Sequence, residues 1–216
     1  MWVFPILVIG AYLLGSIPFG LIISRAVARL DITQAGSGNI GATNVAREVG
    51  LRWGVVTLVA DTLKGWVPVT VAQHFLPLSA HGAEAFAGIA GLSALLGHQF
   101  SIYNRFRGGK GIATALGVFL ALSPISCLFS GAVFLGAVLM WGYVSLGSIV
   151  AALTLPVWLY ILDHSTSLIL LSIVMSLLIT FLHRANLRRL FQGKERRWSK
   201  GGYLSRLSRR SNSSSE

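Results

Sequence analysis

The sequence predicts an all-α polytopic membrane protein with seven transmembrane helices, its N-terminus outside and its C-terminus cytoplasmic. Three observations carry that expectation. Of its 216 residues, 54% are hydrophobic and only 12% charged, with a mean hydropathy of +0.69; no soluble domain of this length needs so much apolar surface. Apolar segments recur along nearly the whole chain. The 18 Lys and Arg gather in alternate gaps between those segments, as cytoplasmic loops do. The net charge of +11 therefore reflects topology, and no nucleic-acid partner is expected.

In order, the apolar segments are 2–24, 53–75, 83–100, 111–122, 124–141, 147–162 and 165–182. A helix needs about 20 residues to cross hydrocarbon, so 111–122 is short, and fusing it with 124–141 would leave six spans. Charge parity decides for seven. Arg25, Arg29, Arg47 and Arg52 follow the first segment, Arg105, Arg107 and Lys110 the third, and a last group runs from Arg184 to Arg210. The turns near 74–81, at Ser123 and at Asp163 and His164 carry neither Lys nor Arg. With seven spans every Lys and Arg except Lys64 is cytoplasmic; with six the last group is stranded outside. The first segment is read as uncleaved despite Ala26-Val27-Ala28, because no basic stretch precedes it, it is too long, and Arg25 adjoins the supposed cleavage site. Small residues at Ala11, Gly15, Gly88, Gly91, Ala132 and Gly136 are expected at helix–helix contacts. Cys127, the single cysteine, lies in an apolar segment and forms no intrachain disulfide.

Polar residues collect in islands. The first is Gly36-Ser37-Gly38-Asn39-Ile40-Gly41-Ala42-Thr43-Asn44-Val45-Ala46-Arg47. Its glycines permit positive φ and close backbone approach, its hydroxyls and amides donate and accept, and Arg47 adds a forked permanent cation. A helix is expected to start near Gly41, turning free N–H groups towards the glycine turn, which suits a phosphate. The bland alternative is a flexible loop between helices. Asp61 and Lys64 fall inside the second span, three residues apart on one face. Intramembrane charges usually face a polar cavity, so Lys64 is expected to help line the anion site with Asp61 holding it; a self-neutralising packing pair is the alternative. The second island, Arg107-Gly108-Gly109-Lys110-Gly111, is no nucleotide P-loop, since Gly111 follows the lysine and Asn104 stands in place of the first glycine. It remains a glycine nest with a lysine, suited to an anion. The third island opens on His183 and Asn186, one helical turn apart, and ends at Glu195. Tyr143, Ser145 and Ser148 add uncharged hydroxyls between the fifth and sixth spans.

Ser-Gly-Asn-Ile-Gly-Ala-Thr-Asn, Asp-x-x-Lys-Gly, Gly-Gly-Lys-Gly-Ile-Ala-Thr and His-Arg-x-Asn-Leu-x-Arg-Leu-x-x-Gly-x-Glu occur here in that order. In them the chain resembles the bacterial acyl-phosphate-dependent glycerol-3-phosphate acyltransferases over roughly residues 8–198. Any one motif is weak; together they are specific. Leu187 stands where that family usually has isoleucine, and Tyr143 where some members carry a basic residue. The resemblance implies a multi-pass enzyme of the bacterial cytoplasmic membrane with its active site on the cytoplasmic face. Residues 1–195 would be a single transmembrane catalytic domain, and 196–216 a basic, disordered tail against anionic headgroups.

The implied reaction moves an acyl group from acyl phosphate to the 1-hydroxyl of glycerol 3-phosphate, giving lysophosphatidate and phosphate in the first step of phospholipid synthesis. A functional link to the enzyme that makes acyl phosphate follows. By resemblance, Ser37, Gly38, Asn39, Gly41, Thr43 and Asn44 serve mainly the acyl phosphate. Arg47, Lys110, Ser145, His183 and Asn186 hold glycerol 3-phosphate, the Gly108, Gly109 and Gly111 nest supports Lys110, and Lys64 lies near the shared centre. Catalytic candidates are His183, Asn186, Ser37 and Lys110. His183 is either the general base or a positioning group beside a phosphate oxygen that takes the proton. No cofactor is implied, and no His, Asp or Glu pair shows metal-ligand spacing within an island. No His-x-x-x-x-Asp occurs, which argues against a CoA thioester donor, and no Gly-x-Ser-x-Gly suggests an acyl-enzyme. A small organic-phosphate transporter is the main competing class, disfavoured by nearly bare external turns; a headgroup-binding scaffold is a weaker third reading.

Overall fold

In lipid a backbone of Leu, Val, Ile and Ala satisfies its polar groups within a single segment only as a helix, and helices are what the chain forms. The computed structural model describes residues 3–75 and 80–198, the side chains of 80–83 excepted, and no β-strand occurs among them. The helices are α1 (Val3–Ser16), α2 (Phe19–Ala28), α3 (Ala42–Glu48), α4 (Leu51–Phe75), α5 (Ala80–Gln99), α6 (Ile112–Leu122), α7 (Pro124–Trp141), α8 (Val144–Ile161), α9 (Thr166–Leu182) and α10 (Arg184–Phe191).

Among the described residues five stretches are long and apolar enough to cross a membrane, namely Val3–Ala28, Leu51–Phe75, Glu84–Asn104, Pro124–Trp141 and Val144–Ile161. The pair α9 and α10, bent by 59° where they meet, brings the number to six. α6 is the short segment expected at 111–122. Its 11 residues rise about 16 Å, roughly half of the ~30 Å hydrocarbon core. Only Ser123 separates it from α7, with Pro124 in the first turn of that helix. The chain reverses there. Ser123 Oγ lies 2.8 Å from Nε2 of His164 in the α8–α9 turn, and His164 Nδ1 is 3.5 Å from Glu84 near the start of α5. Ser165 Oγ donates to the same carboxylate. These turns therefore share one end of the bundle, and the polar islands share the other.

The first apolar segment, expected as one helix, is two. Pro18 has no N–H and breaks the ladder between α1 and α2. The carbonyls at the break find partners elsewhere: Ser101 Oγ donates to Ser16, and Lys64 Nζ donates to Ile17 over 2.8 Å. Packing uses small residues as expected at Ala11, Gly15, Gly88 and Gly91. A Cβ at Gly15 would lie 2.1 Å from the Ala94 carbonyl, one at Gly88 2.5 Å from Leu171, and one at Gly91 2.6 Å from Val118. Ala132 and Gly136 differ from expectation: Ala132 is exposed and a Cβ at Gly136 would meet nothing within 4 Å, so neither sits at a helix contact. α4 and α6 instead touch through Gly65, against the Thr114 carbonyl, and Gly117, against that of Thr62. That contact brings the loop before α6 down beside the middle of α4. Of the tail expected at 196–216, 199–216 lies outside the described residues, while 196–198, continuing 192–195 across the polar end of the bundle, is held by bonds to Arg47, Tyr143 and Gly142 and is not disordered.

Candidate active site

The first island is a loop anchored by apolar plugs. Ile40 and Val45 are buried with Leu21, Ile32 and Val49, which pins both ends of the polar run. Gly41 caps α3, as its sequence suggests, and Asn39 Oδ1 accepts from Gly41 N over 2.8 Å. Asn44 is the organiser. Its amide donates to the carbonyls of Ile32, Ala35 and Asn39 at 3.3, 3.0 and 2.9 Å, and its Oδ1 accepts from Ser37 N at 3.0 Å. Both ends of that amide are engaged in shaping the loop, so what it leaves for a ligand are the side chains of Ser37, Asn39 and Thr43 and the guanidinium of Arg47.

The second island is set against the end of α5. Gly108 and Gly109 are demanded by contact: a Cβ there would lie 2.0 Å from the His98 carbonyl and 2.2 Å from His98 Nε2 respectively. Gly109 N donates to the His98 carbonyl over 3.0 Å, so this N–H is not part of an open anion nest. Gly111 takes φ 89° as the N-cap of α6, a left-handed conformation glycine adopts without strain. The turn delivers Lys110.

Lys110 then joins the second island to the third. Its Nζ donates to Asn186 Oδ1 over 2.6 Å. Asn186 Nδ2 donates to Glu195 Oε1 over 2.6 Å, the same oxygen accepts from Ser145 Oγ at 2.7 Å, and Arg189 Nε donates to Glu195 Oε2 at 2.7 Å. Glu195 is thus the hub of the site, with a side chain only 6% exposed, and it was not among the residues singled out from sequence. Burial alone would raise its pKa, but the hydrogen bonds from Asn186, Ser145 and Arg189 and the charge of Arg189 hold it below its ordinary value. Burial pushes Lys110 down to about 8, against the pull of Glu195 and with the repulsion of Arg189 and Arg47.

His183 lies just past the end of α9. Its Nδ1 is 2.8 Å from the Ile179 carbonyl, which makes Nδ1 the protonated nitrogen and leaves the Nε2 lone pair free. Burial, then the charge of Lys110, lowers its pKa to about 4, against the Ile179 bond and Glu195. It is a neutral hydrogen-bonding group at neutral pH.

These groups surround one mouth of a cavity of about 760 Å³. Ser37, Asn39, Gly41, Thr43, Asn44, Arg47, Lys110, Gly111, Ser145, His183 and Asn186 all line it. Gly38, Lys64, Gly108 and Gly109 do not. Lys64 is the informative departure: its ammonium is 3.1 Å from Asp61 and bonded to the Ile17 carbonyl, which places it at the helix break. The lining adds Gly36, Asp61, His98, Arg189, Glu195, Arg196 and Trp198. Asp61 and His98 approach to 3.8 Å across α4 and α5, a meeting that separation in sequence hides. Below the polar mouth the walls are apolar, from Leu51, Val55 and Leu58 on α4 to Phe134 and Val138 on α7 and Leu155 on α8.

The segment 192–198 closes over this mouth. Arg47 Nη2 donates to the Arg196 carbonyl at 3.3 Å, Arg196 Nη1 is 3.9 Å from Glu48, and Trp198 N donates to the Gly142 carbonyl at 2.7 Å. Arg197 lies over the Tyr143 ring at 5.4 Å and donates to its hydroxyl at 3.3 Å. A cation therefore stands at Tyr143 after all, supplied by the strap.

The sequence profile of the family described as Glycerol-3-phosphate acyltransferase matches residues 5–193. A relative named glycerol-3-phosphate acyltransferase, from Geotalea daltonii, is 48% identical over 191 residues, covering 88% of this chain and 95% of its own. A crystal structure of PlsY (YgiH), an integral membrane glycerol 3-phosphate acyltransferase in its glycerol 3-phosphate form, superposes with a TM-score of 0.87 at 40% identity, over 93% of this chain and 98% of that one. The lysophosphatidic acid form of the same enzyme gives a TM-score of 0.83 at 39% identity, with the same coverage.

Proposed function

This chain belongs to the glycerol-3-phosphate acyltransferase family, and from that premise we propose that it acylates the 1-hydroxyl of glycerol 3-phosphate with an acyl phosphate as donor. The observation that carries the reading is the chain of contacts Lys110–Asn186–Glu195–Ser145 beside Arg47 and His183 at the mouth of an apolar cavity. Two cations for a phosphate stand where a fatty chain can run down into the bundle.

Arg47 and Lys110 bind the phosphate of glycerol 3-phosphate, with Ser145, Asn186 and His183 orienting its glycerol end. Ser37, Asn39 and Thr43 face the acyl phosphate. Because phosphate is already a leaving group, the protein's work is to align the hydroxyl with the acyl carbon and stabilise the charge that develops on the carbonyl oxygen. Lys110 is the charged donor available for that oxyanion. A proton must leave the attacking hydroxyl. A substrate phosphate oxygen, whose second pKa lies near 6, takes the proton, while His183, which burial and the Lys110 charge keep neutral, holds the hydroxyl in line through Nε2.

The same reading assigns seven crossings, with the N-terminus outside and the polar mouth at the cytoplasmic face of the bacterial inner membrane. α6 is a half-length crossing that ends at the recessed loop of Lys110. The catalytic domain is 1–195, with Arg196 and Trp198 completing its mouth, and an enzyme that makes acyl phosphate supplies the donor. Purified protein given acyl phosphate and glycerol 3-phosphate should release phosphate and form lysophosphatidate, while palmitoyl-CoA and acyl carrier protein thioesters should not replace the donor. Comparable turnover with acyl-CoA alone overturns the donor assignment.

A further inference from the structure

The apolar part of the cavity has an end, and that end lies at a measurable depth. Its polar mouth is fixed by Ser145 on α8, His183 after α9 and Gly111 before α6. The lining residues furthest from that mouth are Leu155 on α8, Met175 on α9, Phe119 on α6 and, beside them, Cys127 on α7. At about 1.5 Å per residue, Leu155 lies about 15 Å along α8 from Ser145, Met175 about 12 Å along α9 from His183, and Cys127 about 22 Å along α7 from Gly142, where Trp198 is bonded. Leu155, Met175, Phe119 and Cys127 are 7%, 1%, 1% and 6% exposed and belong to the same packed core. They close the cavity from below, whereas higher up Val55 and Leu58 on α4 are partly open to lipid, at 49% and 40% exposure.

Resting on the proposed function, we infer that Phe119, Leu155 and Met175 form a floor that sets the upper limit of acyl chain length. The reasoning is mechanical. The acyl carbonyl must sit at the polar mouth for attack, so one end of the chain is pinned, and the remaining carbons must lie straight between mouth and floor. Along α7 the lining runs continuously through Val138, Phe134, Ser130 and Cys127, and the span of about 22 Å from Gly142 to Cys127 takes an extended hexadecanoyl chain but not an eicosanoyl one. Each further methylene must displace packed core atoms, and interiors at crystal-like density do not yield without strain.

The experiment is a series of dodecanoyl, hexadecanoyl, octadecanoyl and eicosanoyl phosphates assayed with wild type, Met175→Ala, Leu155→Ala and a filling variant, Ala151→Leu, part-way down the same wall. Truncating the floor should raise kcat/KM for eicosanoyl relative to hexadecanoyl phosphate by at least about tenfold, the lower end of what a single methylene gives in an apolar pocket, since the two donors differ by several. The filling variant should favour dodecanoyl phosphate by a similar factor, and its turnover of that donor shows that it has folded. If chains instead leave sideways between α4 and α7, both types of variant will keep the wild-type chain preference while turning over every donor, and the floor is refuted. If no acyl phosphate is turned over by wild type, the donor assignment itself fails.

Discussion

Replacing Lys110 with alanine tests the electrostatic core of the site. Nζ of Lys110 is buried beside Asn186, and the phosphate of glycerol 3-phosphate would meet it as a charge-assisted partner worth about 1.5–3 kcal/mol. Since about 1.4 kcal/mol is tenfold, kcat/KM for glycerol 3-phosphate should fall by about 10–150-fold. The loss belongs in KM if the contact is equal in ground and transition states, and in kcat if Lys110 also meets the developing oxyanion. The pH profile separates charge from shape. Lys110 carries its proton below about 8 and loses it as the pH rises through that value, so wild-type kcat/KM should decline above pH 8. Lys110→Arg keeps a charge that does not titrate in this range, and its profile should stay flat there even if its absolute rate is lower. Steady-state kinetics from pH 6 to 10 in detergent or nanodiscs reads both effects. A wild type flat to pH 10, or an alanine variant within threefold of wild type, refutes the reasoning.

His183→Gln, which keeps a hydrogen-bonding group without a titrating base, should hold kcat within about tenfold; a fall of about 10²–10⁴, the usual contribution of a general base, would make His183 the base. Lys64→Met should lower thermal stability by roughly 3–5 kcal/mol, because it strands the buried Asp61 carboxylate, and Asp61→Asn in the same chain should restore most of it. A KM effect for glycerol 3-phosphate in the rescued double variant, with stability normal, would return Lys64 to the anion site. A cysteine at exposed Asp163 should react with impermeant reagent from outside intact cells, while one at exposed Arg188 should react only after permeabilisation; the reverse pattern inverts the topology.

The apolar segments and the gathering of polar islands at one end follow from composition, because lipid permits few backbone solutions. α3 begins beside Gly41 where the glycine turn meets helix-forming residues, and α6 is as short as its apolar run. Other features depend on what distant residues do for one another. Asn44 reads as a ligand-binding amide from its neighbours, yet the carbonyls of Ile32, Ala35 and Asn39 engage it. Lys64 reads as a cavity cation, yet a carbonyl freed by Pro18 takes its ammonium. The Ile-Pro pair in the first segment was the available signal for that break. Glu195 could have been found as a carboxylate set among Arg189, Arg196 and Arg197, a place where it must be neutralised. The meeting of Asp61 with His98 leaves no local trace.

The break at Pro18 also has a bearing on biogenesis. The Ser16 and Ile17 carbonyls are completed by Ser101 and Lys64, residues that follow the first helix pair in the chain. Until the loop after α5 emerges the Ser16 carbonyl lacks its side-chain partner, and until α4 emerges the Ile17 carbonyl has only its bond from Phe19 N at 3.0 Å; an unsatisfied backbone group in hydrocarbon costs several kcal/mol. The break is completed in two steps, by Lys64 and then by Ser101, in the order in which the chain is made.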